Sequence, residues 1–335
     1  MTTLLIHDAS RRTVADALSA HGSAIDVLSM DDAGVVTRDG TVVDDAHAQA
    51  NIAWLSGSLF VSSAFRPFLG RLFKAPDLRW VQSAAAGYDH PLFADLVKRG
   101  VKLSTSHAHS EPIADYVLAG VLDCFQRGPE RRAQQANRVW RDLTFREIAG
   151  SRWLIVGFGS IGQAVARRAR ASGAHVVGVR RRTDPHSLAD RIVALDGLAA
   201  EWPDADVVVL CAPLNAETRH IVDARALSAM KPGSVMVNVG RGALVNPSDL
   251  LAALDRGVPA HAVLDVFETE PLPEDSPFWG HPRVSLTAHT ASETKTVDGR
   301  NAALFIDNLA RFMAREPLLN LADPADVLDE GSQNS

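Results

Sequence analysis

Three residues in the second half of the chain carry side chains that suit acid–base chemistry on an anionic substrate. Arg241 lies in VNVGRGALVN, Glu270 in LDVFETEPLP and His289 in VSLTAHTA, and each follows a short apolar run that predicts a β-strand. A histidine exchanges a proton near neutral pH, a nearby carboxylate favours its charged form, and a guanidinium fork matches a carboxylate. Since open α/β sheets bind ligands beyond the carboxyl ends of their strands, these residues predict a catalytic site at such an edge.

A glycine-rich turn stands between a predicted strand and a predicted helix. Gly157, Gly159 and Gly162 give the pattern GxGxxG in the segment GFGSIG, with Ser160 and Ile161 before the last glycine. The first glycine permits a tight turn, the second lets the backbone approach a pyrophosphate, and the third allows close packing of helix on sheet. Amides at the helix N-terminus would hold the anion. An ordinary tight turn in a flavodoxin-like domain is the alternative, but the whole strand, turn and helix unit favours dinucleotide binding.

Three consecutive arginines, Arg180, Arg181 and Arg182, follow the next predicted strand. A site that prefers NAD has an acidic residue near this position to accept the ribose 2′-hydroxyl. Here, three guanidiniums could surround a 2′-phosphate instead. The sequence therefore predicts NADP(H) as the preferred cofactor and NAD(H) as an alternative; a solvated basic patch is the competing interpretation.

Short apolar runs alternate with helix-length segments along the chain, which is typical of parallel sheets built from βαβ units. The fold class is α/β, with two Rossmann-like, doubly wound parallel-sheet domains and the active site in a cleft between them. We expect a flavodoxin-like substrate domain at 1–108 plus 291–335, and a dinucleotide-binding Rossmann domain at 109–290. The polar tail from Asp323 onward is expected to be poorly ordered. The predicted strands are 4–7, 24–28, 51–56, 78–82 and 101–104, then 152–156, 175–179, 207–211, 235–239, 262–266 and 284–287.

Composition narrows the class of partner. The net charge of -6 disfavours nucleic acid, because phosphate binding relies on clustered lysines and arginines. The apolar runs are too short for a membrane span, and the N-terminus has no signal-peptide pattern, so a soluble cytoplasmic protein is expected. His107 and His109 form an HxH without an apparent third ligand, and we predict no metal.

Beyond these single motifs, the chain closely resembles the D-isomer-specific 2-hydroxyacid dehydrogenase family, which includes glyoxylate/hydroxypyruvate reductases and phosphoglycerate dehydrogenases. The resemblance covers nearly the whole length and rests on GFGSIG, APLNAETRHIV, MKPGSVMVNVGRGALVN, LDVFETEPLP and LTAHTA, in the family's order. The N-terminal part matches more loosely, through QSAAAGYDH and IADYVLAGVL. Two positions depart from the family: Ala288 replaces the usual proline before the histidine, and Asp115 stands where a glutamate is usual.

The resemblance implies roles for the catalytic residues. His289 would donate the proton to the carbonyl oxygen, with Glu270 favouring the imidazolium, and Arg241 would hold the substrate's carboxylate and keto oxygen. The backbone amides of Ala86 and Gly87 look like a second contact for the carboxylate.

Further residues resemble the family's cofactor contacts. Asp265 would accept the nicotinamide carboxamide, although a strand-end acid that caps a loop is an alternative. Val239 and Gly240 would lie by the nicotinamide, and Pro213 and Thr218 by the adenosine. Tyr88, beside the Ala86–Gly87 turn, could shape the pocket.

The resemblance thus implies an NAD(P)-dependent oxidoreductase acting on CH–OH donors. It would reduce a small 2-keto acid, such as glyoxylate or hydroxypyruvate, to the D-2-hydroxy acid, or catalyse the reverse reaction. A homodimer is expected from the family. The alternative is a nicotinamide-sensing binding protein or corepressor of the same fold, against which the complete Arg241, Glu270 and His289 set weighs.

Overall fold

The computed structural model describes residues 2–44, 46–87 and 90–331. The chain divides into two compact units. Unit 1 comprises Met1–Ala108 with Thr294–Ser335, and unit 2 comprises His109–Glu293. Each unit is built around its own sheet.

The sheet of unit 1 has seven strands within the described residues, in the order β4-β3-β2-β1-β5-β6-β7. The pairs from β2 through β1, β5 and β6 to β7 are parallel, which is the flavodoxin-like order. An antiparallel hairpin, β3 with β4, extends one edge and turns at Asp39 and Gly40, both with positive φ. The strands are β1 (Thr2–His7), β2 (Ile25–Met30), β3 (Val36–Arg38), β4 (Thr41–Val42), β5 (Ile52–Leu55), β6 (Trp80–Ser83) and β7 (Lys102–Ser104).

The sheet of unit 2 also has seven strands in the described part, all parallel, in the order β10-β9-β8-β11-β12-β13-β14. Its first six positions follow the Rossmann order. The segment VVVL at 207–210 shows why the sheet is central: Val207 and Val209 belong to one core cluster and Val208 and Leu210 to another, as expected for a parallel strand covered on both faces. The strands are β8 (Arg152–Val156), β9 (His175–Val179), β10 (Arg191–Val193), β11 (Val207–Leu210), β12 (Val235–Asn238), β13 (His261–Leu264) and β14 (Val284–Leu286).

The helices cover these sheets, and several have sequence-encoded ends. Asn246 caps α10 by accepting the amides of Ser248 and Asp249, and Gly257 ends it in the left-handed conformation. None of the helices in the described part of the chain is both long and apolar enough to cross a membrane. The helices are α1 (Asp8–Thr13), α2 (Ala15–Ala20), α3 (Gly57–Phe60), α4 (Phe65–Lys74), α5 (Pro91–Lys98), α6 (Ser110–Phe125), α7 (Gly128–Ala136), α8 (Ser160–Ala171), α9 (Ala224–Ala229), α10 (Pro247–Arg256), α11 (Val297–Ala314) and α12 (Pro324–Gly331).

The prediction of a poorly ordered tail from Asp323 onward is wrong for α12. The Asp323 carboxylate accepts the amide of Ala325, and Pro324 occupies the first helical position, so the helix start is well specified. Val327 is fully buried in the same cluster as Leu92 and Leu96 of α5. The burial of Val327 explains why this segment forms a helix despite the polar composition that suggested disorder.

Candidate active site

Arg241, Glu270 and His289 come from three consecutive strands of the unit 2 sheet. Arg241 follows β12, Glu270 follows β13 and His289 follows β14, and these strands are neighbours and parallel. Their carboxyl ends therefore meet at one edge, the place where open α/β sheets bind ligands.

The imidazole of His289 is hydrogen-bonded to Glu270. The distance from Nδ1 to Oε2 of Glu270 is 2.8 Å, and the other carboxylate oxygen accepts the amide of Phe267 at 2.8 Å. The side chains of His289 and Glu270 are 51% and 36% exposed, so a small molecule can reach the pair. Because Nδ1 is engaged, Nε2 is the ring nitrogen that can exchange a proton with a substrate. The predicted juxtaposition of these two residues is present in the structure.

The backbone of His289 is in the left-handed region, with φ of 55°. A non-glycine residue there costs about 1–3 kcal/mol, so the conformation persists only where its surroundings hold it. Asp265 supplies this hold from both sides: its carbonyl accepts the amide of His289 at 2.8 Å, and its carboxylate accepts the next amide, of Thr290, at 2.8 Å. The turn that presents the imidazole is thus bracketed by one residue.

Asp265 is 3% exposed and is the most connected acid of the site. Its carboxylate also accepts the amide of Ala291, at 3.1 and 3.0 Å, and the hydroxyl of Thr287 at 2.5 Å. This is the geometry of an acid that caps a loop, the alternative raised for it above. Its contact with a nicotinamide carboxamide stays a prediction.

Arg241 lies in the adjacent loop, half buried, and its Nη1 donates to the carbonyl of Gly240 at 2.9 Å. Asn238, at the end of β12, shapes this loop by donating to the carbonyl of Arg241 and accepting the amide of Gly240. The next residue, Gly242, is pressed against the loop that leads to Glu270, because a Cβ there would lie 1.9 Å from the carbonyl carbon of Phe267. The arginine loop and the glutamate loop are therefore in backbone contact.

The glycine-rich turn lies where the strand order of unit 2 reverses, since β8 pairs with β9 on one side and β11 on the other. A Cβ on Gly157, whose φ is 98°, would lie 2.4 Å from the amide nitrogen of Ala212, and one on Gly162 would lie 2.3 Å from the carbonyl oxygen of Gly157. A Cβ on Gly159 would meet nothing within 4 Å.

The turn leads directly into α8, in which Ser160 and Ile161 form the first turn. The opening amides of a helix have no intrahelical carbonyl, so they point toward the space beside Gly159. Two glycines thus close the turn and the third leaves room, which fits a pyrophosphate held by helix amides.

The three arginines of the basic loop after β9 have different surroundings. The guanidinium of Arg180 donates to the carbonyls of Arg182 at 2.7 Å and Asp184 at 2.9 Å, so it holds the loop together. The side chains of Arg181 and Arg182 are exposed. Arg181 and Arg182 are therefore the arginines of this loop that lie exposed on the surface.

The remaining predicted contacts of unit 2 lie in loops at the same edge. The hydroxyl of Thr218 donates to the carbonyl of Pro213 at 2.7 Å and closes the loop after β11, so its protein role is to shape that loop. Val239 is 6% exposed, and Gly240 is packed so that a Cβ would lie 2.8 Å from Cδ1 of Leu244.

In unit 1, Ala86 and Gly87 are half buried in the turn that follows β6. Tyr88 lies outside the described residues. Among the described residues, no group of three or more histidines, cysteines or acids is arranged to hold a metal ion.

Comparison with known proteins decides the family. The family model described as "D-isomer specific 2-hydroxyacid dehydrogenase, NAD binding domain" matches residues 118–291. The chain belongs to this family.

Relatives of the dehydrogenase cover most of its length. A glyoxylate reductase of Korarchaeum cryptofilum is 33% identical over 279 residues, 78% of this chain and 82% of that protein. An (S)-sulfolactate dehydrogenase of Chromohalobacter salexigens is 33% identical over 288 residues, 82% of this chain and 91% of that protein. A solved D-isomer specific 2-hydroxyacid dehydrogenase from Xanthobacter autotrophicus, in complex with NADPH and MES, has a TM-score of 0.78 at 29% identity, covering 97% of this chain and 99% of that one. The predicted fold class and oxidoreductase class are confirmed.

Sequence reasoning missed two residues of the dehydrogenase that the structure connects to the site. The hydroxyl of Tyr116, on α6, lies 2.8 Å from that of Thr287, which in turn contacts Asp265. The signal was present in LTAHTA, since Thr287 directly follows β14, but its partner lies 171 positions away. Only the packing of α6 against the sheet brings the two together.

Proposed function

We propose that this dehydrogenase reduces a small 2-keto acid of the glyoxylate or hydroxypyruvate type to the D-2-hydroxy acid with NADPH, and catalyses the reverse oxidation. The observation that carries the proposal is the 2.8 Å bond between His289 and Glu270 at the edge where Arg241 also lies. A partly exposed imidazole backed by a carboxylate is suited to general acid–base catalysis near neutral pH.

The chemistry follows from the groups at this edge. NADPH, when bound, supplies the hydride that adds to the carbonyl carbon. His289 donates the Nε2 proton to the carbonyl oxygen, and Glu270 keeps the ring oriented by accepting from Nδ1. Arg241 binds the substrate carboxylate, and the amides of Ala86 and Gly87 are proposed as a second contact. In the oxidation, Nε2 accepts the hydroxyl proton, and bound NADP⁺ would take up the hydride from the same carbon.

The cofactor preference rests on the loop after β9. In place of an acid that would accept a ribose 2′-hydroxyl, the loop has Arg181 and Arg182 exposed, with Arg180 bracing its backbone. A 2′-phosphate is the ligand group that such guanidiniums recognise best. The NADPH complex of the Xanthobacter relative supports a nicotinamide cofactor in this fold.

The choice of substrate is the finer part of the proposal. Two relatives of the same identity carry the names of a glyoxylate reductase and a sulfolactate dehydrogenase. We favour glyoxylate or hydroxypyruvate because of the arginine loop expected to select NADPH. We further propose that the enzyme is a cytoplasmic homodimer.

An absorbance assay at 340 nm tests the function. The purified chain is mixed with NADPH or NADH and with glyoxylate, hydroxypyruvate, pyruvate or phenylpyruvate, and the product is resolved on a chiral column. We expect NADPH oxidation with one of the first two acids and, from hydroxypyruvate, the D product. The Glu270→Gln variant, which keeps the shape of the side chain, should be slower. Tight NADPH binding without oxidation on any of these acids would refute the proposal in favour of a sensor or corepressor.

A further inference from the structure

A chain of two hydroxyls connects α6 to the carboxylate of Asp265. The Tyr116 hydroxyl lies 2.8 Å from Oγ1 of Thr287, and Oγ1 lies 2.5 Å from Oδ1 of Asp265. Oγ1 of Thr287 is the donor toward both groups, so its one proton is directed at the Asp265 carboxylate, the shorter contact, and at the Tyr116 hydroxyl. Thr287 therefore links the tyrosine to the aspartate from its place between them.

Asp265, at the end of this series of hydrogen bonds, holds the turn that carries His289. As described above, Asp265 accepts the amides of His289, Thr290 and Ala291, the first through its carbonyl and the others through its carboxylate. Rotation of the carboxylate would release two of these amides at once. The left-handed backbone of His289 would then lose the contacts that fix it on its C-terminal side.

The covalent structure of the turn does not supply this rigidity. Ala288 and Thr290, the neighbours of His289, are exposed, and alanine does not restrict φ as a proline ring does. Tyr116 is partly buried, and burial together with the negative charge of Asp265 raises its pKa, so the hydroxyl keeps its proton at any physiological pH. The neutral Tyr116 hydroxyl is therefore a constant hydrogen-bond partner for Thr287.

We propose that Tyr116 and Thr287 are positioning residues: by fixing the orientation of the Asp265 carboxylate, they hold the His289 turn in its reactive geometry. The proposal rests on the proposed function for its kinetic consequence, but its structural part, protection of the amides at 289–291, is independent of any substrate. An error of about 1 Å in the position of a catalytic group can cost roughly 100-fold in rate. The hydroxyl chain should therefore affect kcat more than KM.

The first test compares two substitutions of one residue. Thr287→Val removes the hydroxyl and keeps the shape, whereas Thr287→Ser keeps the hydroxyl. We expect hydrogen–deuterium exchange of the peptide spanning 287–293 to be faster in the valine variant and close to wild type in the serine variant. On the keto acid that the enzyme reduces, kcat should fall about 10-fold or more in the valine variant, with KM changed less, and should be restored in the serine variant.

Ser151→Ala is the matched control. It also removes a buried hydroxyl, one that donates to the carbonyl of Ile148 before β8, away from the catalytic edge. It should lower the melting temperature comparably without accelerating exchange at 287–293 or lowering kcat. Equal kcat and equal exchange in the Val and Ser variants would overturn the proposal, as would an equal effect of the control.

A double-mutant cycle tests whether Tyr116 acts through Thr287. Tyr116→Phe alone should lower kcat by a few-fold, because Thr287 keeps its bond to Asp265 but loses the second hydroxyl contact that orients it. Combined with Thr287→Val, it should add almost nothing, since residues of one network are not additive. Additive losses would show that Tyr116 acts elsewhere. If the wild-type chain reduces none of the keto acids, the proposed function fails, whereas the exchange data still decide the role of the hydroxyls.

Discussion

Two buried aspartates of unit 2 lie at opposite edges of the sheet and have different kinds of hydrogen-bond partner. Asp206 lies just before β11, at the amino edge of the sheet, and is 8% exposed; Asp265 lies just after β13, at the carboxyl edge, and is 3% exposed. Asp206 binds two cations, Lys231 at 2.8 Å and Arg146 at 2.9 Å, and accepts the amide of Arg152. Asp265 is satisfied by a hydroxyl and by the amides of a loop.

The different partners of the two aspartates indicate different roles: Asp206 stabilises the fold, whereas Asp265 holds the turn that carries His289. Burial by itself would raise the pKa of Asp206, but Lys231, the Arg152 amide and Arg146 together hold it below its ordinary value, so the acid stabilises the fold as a charged group. Asp265 instead forms its hydrogen bonds with the turn in which the backbone of His289 is left-handed. We therefore expect changes at the amino edge to affect unfolding and changes at the carboxyl edge to affect turnover.

The largest effect is expected for His289→Asn. Asparagine tolerates the left-handed conformation but cannot donate the proton, so kcat/KM should fall by about 100- to 10,000-fold. The free energy of unfolding should change by less than about 0.5 kcal/mol, since the side chain is half exposed. Steady-state kinetics and urea denaturation measure the two quantities. A variant that unfolds easily yet keeps its turnover would break the comparison.

Asp206→Asn should show the converse. We expect a loss of about 2 kcal/mol in the free energy of unfolding, since charge-assisted hydrogen bonds to a buried carboxylate are removed, with kcat within about 2-fold of wild type. Because the folded pKa is lowered, the contribution of Asp206 is present above the ordinary value of 3.8 and is lost as pH falls through the lower folded value. The wild-type advantage over Asn should therefore shrink in acid. Denaturation at pH 7 and near pH 3 checks this sign, and an advantage that grows in acid would contradict it.

The smallest effect concerns cofactor choice at the carboxyl edge. Arg181→Ala with Arg182→Ala should raise KM for NADPH by about 10-fold and leave KM for NADH nearly unchanged, because only NADPH has the 2′-phosphate. Arg180→Ala is the matched variant: it removes the bonds to the carbonyls of Arg182 and Asp184 and should weaken both cofactors. Equal losses for both cofactors in the double variant would show that these arginines do not read the phosphate.

The sequence predicted the strands of the buried sheets well, because short apolar runs that contain β-branched residues are strong local signals. β8 and β9 have the predicted bounds, 152–156 and 175–179. The edge strand β10 was missed, since three residues that begin with an arginine give no apolar run. The hairpin of β3 and β4 was also missed, although its turn residues Asp39 and Gly40 are a typical hairpin signal.

At the site, the sequence predicted which catalytic residues follow which strands. It did not predict the hydrogen bonds that hold these residues and their loops in place. The bond between Glu270 and His289 follows from neighbouring parallel strands. The bracing role of Arg180 and the chain from Tyr116 to Asp265 could not be predicted. These depend on loop conformation and on a helix that comes from a distant part of the sequence.

The contact of Gly242 with the backbone of Phe267 limits how this enzyme can be altered. Any side chain at 242 would have to push apart the two segments that carry the guanidinium and the carboxylate. A library intended to change substrate range should therefore vary the pocket lining and leave this crossing intact. Substitutions elsewhere in the pocket can change which acceptor is preferred while Gly242 stays unchanged. Substitution of Gly242 itself would lower the activity toward every acceptor alike.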